Sequence, residues 1–381
     1  MPQLSIWEKE TFFAKQDVII IGSGFSGLWS ALYLKLLHPH YKVTILERGL
    51  IPTGASTRNA GFSCFGSPSE LINDARIMGE DKMWDLVAMR YKGIMEIRNV
   101  FSDEEIDYDA SGGYECFTAD SEDWMACEKK LTWLNDGLKT ITGEANVFFN
   151  ADEKLAEFGF TGFAHMIENK LEGSLHPGKL VKALLKKVHT LDVQVLTGIE
   201  AIEYYEKNNE VHITTNQSIT FLADHLLICT NAFTGALVPA INIIPNRGQV
   251  LITDTINNLR FKGAFHFGKG FYYFRNLDNR LLLGGARQVA LEEENTAEMK
   301  TTDIIQEELE KFIGRHILPS TEFTVTDRWS GIMAMGNEKT PIIKAISKNV
   351  FCSVRMNGMG VALAPMAARL AIQLMNANSI T

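Results

Sequence analysis

The chain has 381 residues, 37 of them basic and 46 acidic, for a formal charge of −9. That length suits two or three domains with a large core, and the acidic balance, with no Lys/Arg cluster interleaved with aromatics, argues against a nucleic-acid partner. Met1 to Asp17 scatters charges where a signal peptide would be apolar. The most apolar late stretch, Val361 to Met375, is broken by Pro365 and Arg369 and falls short of the ~20 residues of a membrane span. Five distant cysteines, none in a C-x-x-C pair, read as buried thiols. A cytoplasmic protein with no bound metal is expected.

Val18 to Ile21 is a β-branched apolar run of the kind buried on both faces of a parallel sheet. The turn after it, Gly22-Ser23-Gly24-Phe25-Ser26-Gly27, is G-x-G-x-x-G. Its glycines suit, in order, a tight turn, close approach of a pyrophosphate, and packing of helix on strand. The helix that follows offers unpaired N–H groups and a positive dipole end to phosphate. A second strand, Val43 to Leu46, ends in Glu47, which lies 20 residues after Gly27, where a ribose-hydroxyl acceptor belongs. Strand, turn, helix, strand and acid together predict a dinucleotide site.

Arg48 leads into Gly49 to Gly66, a segment dense in small residues. Gly54, Ala55, Ser56, Ala60 and Gly61 let backbone run against a flat ligand, and Arg58 and Asn59 can donate to phosphate or ring oxygens. GSGFSGLWSALYLK, TILER and GASTRNAG together resemble the FAD-dependent oxidoreductases of the D-amino-acid-oxidase superfamily, nearest the γ-glutamylputrescine-oxidase-like branch. Thr57 and Ala60 stand where that branch often has glycine. The resemblance implies that Ser56, Thr57, Arg58, Asn59, Ala60 and Gly61 continue the site along the pyrophosphate and the flavin.

Further on, apolar residues at helical spacing predict helices between Ser69 and Ile97. Tyr108 to Glu172 reads as short apolar and aromatic runs opening a second domain. His176-Pro177 begins a helix to His189; His176 is more simply a helix-start contact than an acid–base group. Strands are expected at Val193 to Leu196, Ile199 to Tyr205, Val211 to Thr215, Ile219 to Leu222 and Leu226 to Cys229, with a turn at Asn208-Asn209. By the resemblance, Ile199 pairs its backbone with the adenine and Thr230, Asn231 and Ala232 close over the adenosine side.

Ile244 to Ser330 is strand-rich, with one helix, Thr301 to Gly314, burying Ile304, Ile305, Leu309 and Phe312. YYFRNLDNRLLLGGAR resembles the sheet over the flavin's substrate face. This marks Phe271, Tyr272, Tyr273, Arg275 and Arg287 as pocket candidates, although strand aromatics are usually core. The end of the chain is similar to the superfamily's closing pattern, in which Asn357, Gly358, Met359, Gly360 and Val361 bring backbone N–H groups and a helix start to the flavin.

The resemblance implies an α/β fold. An FAD-binding, Rossmann-like, three-layer ββα domain is discontinuous in sequence (15–85, 174–243, 335–381), and a second α+β substrate domain (86–173, 244–334) is built on a largely antiparallel sheet. The expected cofactor is FAD, held without a covalent bond, because Gly331 to Thr340 lacks the cysteine that tethers flavin in sarcosine-oxidase relatives. The expected partners are a small-molecule amine and O2 or another electron acceptor. Leu281 to Leu283 is wholly apolar where those relatives carry a lysine that helps O2 react. Met333 stands where glycine oxidase and D-amino-acid oxidase place a carboxylate-binding arginine. With Tyr272, Tyr273 and Arg275, Met333 makes up the expected substrate face. An NAD(P)-dependent dehydrogenase would share GSGFSG and Glu47 without needing GASTRNAG; a non-catalytic flavin-binding protein is the other alternative. The sequence leaves the substrate and the oligomeric state open.

Overall fold

The computed structural model describes residues 3–379. Its contacts divide it into two compact units, one made of residues up to Thr57, Gly178–Asn246 and from Met333 onward, the other of Arg58–Pro177 and Arg247–Ile332. The segment from 58 to 85 belongs to the second unit, whereas the sequence suggested the first. Its helix Pro68–Met78 packs against helices Glu80–Val100 and Glu122–Thr142.

In the first unit the strand Gln16–Ile21 is central, and its residues from Val18 to Ile20 are fully buried. The sheet runs in the order Ile342–Ala345, Val350–Val354, Thr220–Ile228, Gln16–Ile21, Val43–Glu47, Val193–Thr197. All pairings are parallel except that of the first, edge strand. Helices Phe25–Leu37 and Gly360–Ser379 pack against each other. An antiparallel meander of Ala201–Lys207 and Glu210–Thr215 joins the front half of Thr220–Ile228, and its Val211, Ile213, Phe221 and Ala223 share a core with Ile19, Ile21, Leu226 and Ile228. Asn208 and Asn209 make the meander's turn, both left-handed, as a two-residue hairpin of this type requires. Two strands expected on either side of Asp224-His225 are one, because Ala223 pairs with both Val211 and Gln16. The polar pair interrupts the apolar run but not the ladder.

The second unit is built on a sheet ordered Val325–Met335, Ile244–Thr253, Arg280–Gly285, Tyr272–Leu277, Ala264–Phe267, Gly113–Phe117, His165–Asn169, Phe148–Asn150. Ala264–Phe267 and Gly113–Phe117 pair parallel, and the other pairs with resolved register are antiparallel. An aromatic core of Phe160, Phe163, Phe265, Phe274 and Phe312 covers one face.

Two expectations need correcting here. Glu122–Thr142 is a 21-residue helix, not a set of short runs. Its Gly137 lets the Trp84 ring approach so closely that a Cβ there would meet it at 2.2 Å. The helix expected to stop at Gly314 is α-helical over Asp303–Phe312 and continues as a π-helical turn to Ile317, while Ile304 faces solvent, 54% exposed. No helix among the described residues is long and apolar enough to cross a membrane. All five cysteines are free and buried.

One contact sets the first turn of the fold. A Cβ on Gly27 would lie 1.9 Å from the Gly22 carbonyl oxygen and 3.3 Å from Ile20, so the helix has no room to retreat without leaving the strand. Gly27→Ala is expected to destabilise the protein by about 2 kcal/mol or more, in the upper range for overpacking. Urea unfolding measures this, and an unchanged midpoint would contradict the packing.

Candidate cofactor and substrate site

At the carboxyl end of Gln16–Ile21 the chain turns through Gly22, whose φ is +102°. A Cβ there would strike the Cys229 carbonyl oxygen at 2.9 Å. Gly24 caps the next helix without any side-chain hydrogen bond, and the first turn holds no acidic residue. Its dipole end is therefore not neutralised from within, as an anion site requires. Phe25 N–H donates to Ser56 Oγ at 2.9 Å, and a Cβ on Gly24 would meet that same Oγ at 2.9 Å. The two loops that the sequence assigns to the dinucleotide thus meet at Gly24.

Glu47, 8% exposed, accepts from Ser23 N–H at 3.0 Å and Ser23 Oγ–H at 2.7 Å on one oxygen, and from Gly49 N–H at 2.8 Å on the other. A carboxylate offers about four acceptor positions, so these bonds orient it and leave capacity for a ribose hydroxyl. Ser23 and Ser26 turn inward. Ser26 Oγ bonds the Ser353 carbonyl at 3.0 Å and joins helix to strand. Thr57 bonds the Pro52 carbonyl at 2.6 Å, and Arg48 lies 3.9 Å over the Phe233 ring beside Glu200. Ile199 N–H donates to the Glu47 carbonyl at 2.9 Å, so its amide extends the sheet edge.

Thr230 and Ala232 flank Asn231, which is left-handed with φ +46°. Its Oδ1 accepts from Arg355 and Met356 N–H at 3.1 and 3.4 Å. The strap it holds is strained: Arg355, Asn357 and Gly358 have φ of +63°, +46° and +79°. Two of these are not glycine, a cost of order 1–3 kcal/mol each that persists where surrounding structure enforces it. Asn357 Nδ2 bonds the Glu338 and Arg355 carbonyls. After Met359, Gly360 and Val361 start the last helix, again with no acid in the first turn. A Cβ on Gly358 would lie 3.4 Å from Met333 Sδ, so Met333 borders this turn.

Within the second unit, strand alternation separates the substrate-face candidates. Tyr272 points into the core: it stacks on Phe312 at 4.2 Å and its hydroxyl reaches Glu308 at 3.0 Å. It is a packing residue, not a pocket residue. Tyr273 points the opposite way, edge-on to Phe62 and grouped with Ala60, Leu282 and Trp329. Burial pushes its phenol up to about 12, so it stays neutral near pH 7. Phe271 lies before the strand, 37% exposed. Burial lowers the Arg287 guanidinium from its ordinary value, against the pull of Tyr273.

Arg275 shares Tyr273's side of the strand but is 5% exposed and engaged. Its Nε donates to the Asn276 carbonyl at 2.9 Å, and its Nη1 to the carbonyls of Leu175, Gly61 and Ala60 at 2.8, 3.3 and 3.4 Å. It grips backbone, which is not the arrangement of a substrate clamp. Arg58 is likewise tied down, its Nη1 to the Ser330 carbonyl at 3.0 Å, while its own carbonyl accepts from the Trp329 indole at 2.9 Å. Asn59 Oδ1 accepts from Gly61 N–H at 2.9 Å. Sequence reasoning missed Trp329 as a partner of this loop, although its W-x-G context was the signal.

A model of the FAD-dependent oxidoreductase family, DAO, matches residues 17–374. The chain belongs to this family. It is 24% identical to the probable oxidoreductase OrdL of Haemophilus influenzae over 93% of this chain and 81% of that one. It is 23% identical to the gamma-glutamylputrescine oxidoreductase of Escherichia coli over 95% and 84%. The fold superposes on glycine oxidase from Geobacillus kaustophilus with a TM-score of 0.75 at 16% identity, covering 95% of each chain.

FAD is the cofactor of this flavoprotein, and the residues present fit it: a helix start at Gly24 with no capping side chain or acid of its own, and an oriented acid at Glu47. Gly24→Val is expected to purify with little or no FAD, because the branched side chain fills the space between the helix start and Ser56. Stoichiometric FAD in the folded variant would contradict that assignment.

Proposed function

We propose that this flavoprotein oxidises a C–H bond beside an amine nitrogen, in a substrate whose reacting carbon carries no free carboxylate. FAD, when bound, supplies the hydride acceptor at N5, and the substrate is left as an imine for water to hydrolyse. The chain's own part is to bind, orient and exclude solvent. Gly24 would admit the pyrophosphate, Glu47 would take a ribose hydroxyl, and the N–H groups of the 357–361 strap would face the flavin. A neutral amine needs no strong base, and Tyr273, with its phenol held protonated, serves as surface.

The observation that carries the substrate reading is Met333. Met333 borders the Gly358 turn where the resemblance puts an arginine; of the two arginines the sequence offers in its stead, Arg275 and Arg287, Arg275 is committed to four backbone carbonyls. A carboxylate at Met333 would be desolvated beside a polarizable but uncharged thioether. The E. coli relative, named for gamma-glutamylputrescine, agrees with an amine substrate. The acceptor follows from the strand Arg280–Gly285, whose residue in the Tyr273 cluster is Leu282. The run Leu281 to Leu283 carries no lysine of its own to stabilise developing superoxide, so reoxidation by O2 is slow and another acceptor serves.

An anaerobic flavin-bleaching screen tests this reading. Non-carboxylate amines are expected to reduce the flavin roughly tenfold or more faster than glycine or D-amino acids, the effect of one missing charge-assisted hydrogen bond. The reduced enzyme admitted to air should recolour slowly. Faster bleaching by a small amino acid would overturn the substrate class, and no bleaching by any amine would favour a non-catalytic flavoprotein.

A further inference from the structure

The loop Ala60–Gly66 runs antiparallel to Glu172–Leu175 as a short ribbon. Leu175 N–H donates to the Gly61 carbonyl at 2.8 Å, and Phe62 and Ser63 pair with Ser174 and Gly173. A buried ionisable side chain sits at each end. Arg275 binds the carbonyls of Ala60, Gly61 and Leu175 at the first. At the other, Glu172, 3% exposed, accepts from Phe65 N–H at 2.7 Å and Gly66 N–H at 3.2 Å on a single oxygen. Arg90, fully buried, adds a bond to the Phe65 carbonyl at 3.3 Å. Glu115 accepts from Ser69 N–H at 2.9 Å. Burial disfavours the charged form of each group, yet none of them reaches the loop through a side chain, Ser69 Oγ apart. Arg275 and Glu172 direct every one of these bonds to backbone atoms of the ribbon and of Asn276.

We propose that Arg275 and Glu172 are positioning residues that set the backbone of Arg58–Gly66, and through it the FAD affinity and the flavin's electronic environment. This rests on the proposed function, in which Ser56–Gly61 contacts the cofactor and is covalently continuous with the clamped ribbon. The clamp explains why the loop needs so many small residues and no regular structure of its own. A Cβ on Gly61 would stand 2.1 Å from the Leu175 carbonyl and 2.9 Å from Arg275 Nη1, so neither the loop nor the guanidinium can shift alone.

The test compares Glu172→Ala with Glu172→Gln, whose amide oxygen still accepts both N–H groups, and Arg275→Lys, which keeps the charge but not the fork. Three quantities are read on the holoenzyme and on reconstituted apoprotein: FAD dissociation constant, visible absorption envelope, and hydrogen exchange of the 60–69 amides. Glu172→Ala is expected to weaken FAD binding about tenfold and shift the flavin bands, the effect of two lost hydrogen bonds to a buried carboxyl. Phe65 and Gly66 should exchange faster in it, while Glu172→Gln stays near wild type. Arg275→Lys should weaken FAD binding several-fold, and it decides the matter if Glu172→Ala does not fold. A role in global stability alone would lower the melting temperature and leave the flavin bands in place. Folded Glu172→Ala or Arg275→Lys with wild-type affinity, bands and exchange would overturn the proposal. A wild-type protein that bound no FAD would instead sink the proposed function, and the exchange of Phe65 and Gly66 would still judge the clamp.

Discussion

The Gly22 carbonyl oxygen stands 1.9 Å from where a Gly27 side chain would begin, and the first unit depends on that approach. Because the helix is drawn so close to the strand it follows, its opening N–H groups lie just beyond the strand's end, beside Glu47. The same closeness places Ser26 against Ser353, and the last helix, Gly360–Ser379, packs alongside Phe25–Leu37. Glycine at three positions therefore does two kinds of work. Gly22 and Gly27 make the approach sterically possible, and Gly24 leaves space for a ligand at its far end.

The second unit solves a different problem. In the proposed function its loop Arg58–Gly66 lies against a flat ligand, and such a loop cannot be held by its own side chains without filling the space the ligand needs. Here Arg275, Glu172, Arg90 and Trp329 reach in from other elements and bind the loop's carbonyls and amides. These contacts use buried polar groups, which are stable only when hydrogen-bonded. Burial pushes the Glu172 carboxyl up to about 8 and that of Glu115 to about 7, against the pull of their N–H donors. A loop gripped this way has a defined shape while exposing few side chains of its own.

Much of the first unit was legible because strand, turn, helix and acid follow each other with spacings that few other folds share. The unclear parts were those where local pattern and tertiary packing disagree. Glu122–Thr142 carries apolar residues at helical spacing, with Trp124, Cys127, Leu134 and Leu138 buried, but Gly, Asn and Thr within it are weak helix formers. Its Gly137 makes sense only once Trp84 is known to lie across it. In Tyr272–Leu277 the sequence put Tyr272 on one substrate face with Tyr273 and Arg275, although a period of two sets Tyr272 on the opposite side. Which face was core could not be read until Phe312 was seen to stack on Tyr272. The destination of Arg275 was invisible in principle, since backbone carbonyls from positions 60 and 175 leave no trace in side-chain identity.

The central claim, that this chain is a flavoenzyme holding FAD by the site described and by no covalent bond, is tested most directly by the colour of the purified protein before and after acid precipitation. The account predicts a yellow protein with an oxidised-flavin spectrum, a colourless pellet, and one FAD per chain in the supernatant. A yellow pellet would contradict the mode of attachment. A colourless native protein that takes up no added FAD would contradict the claim itself.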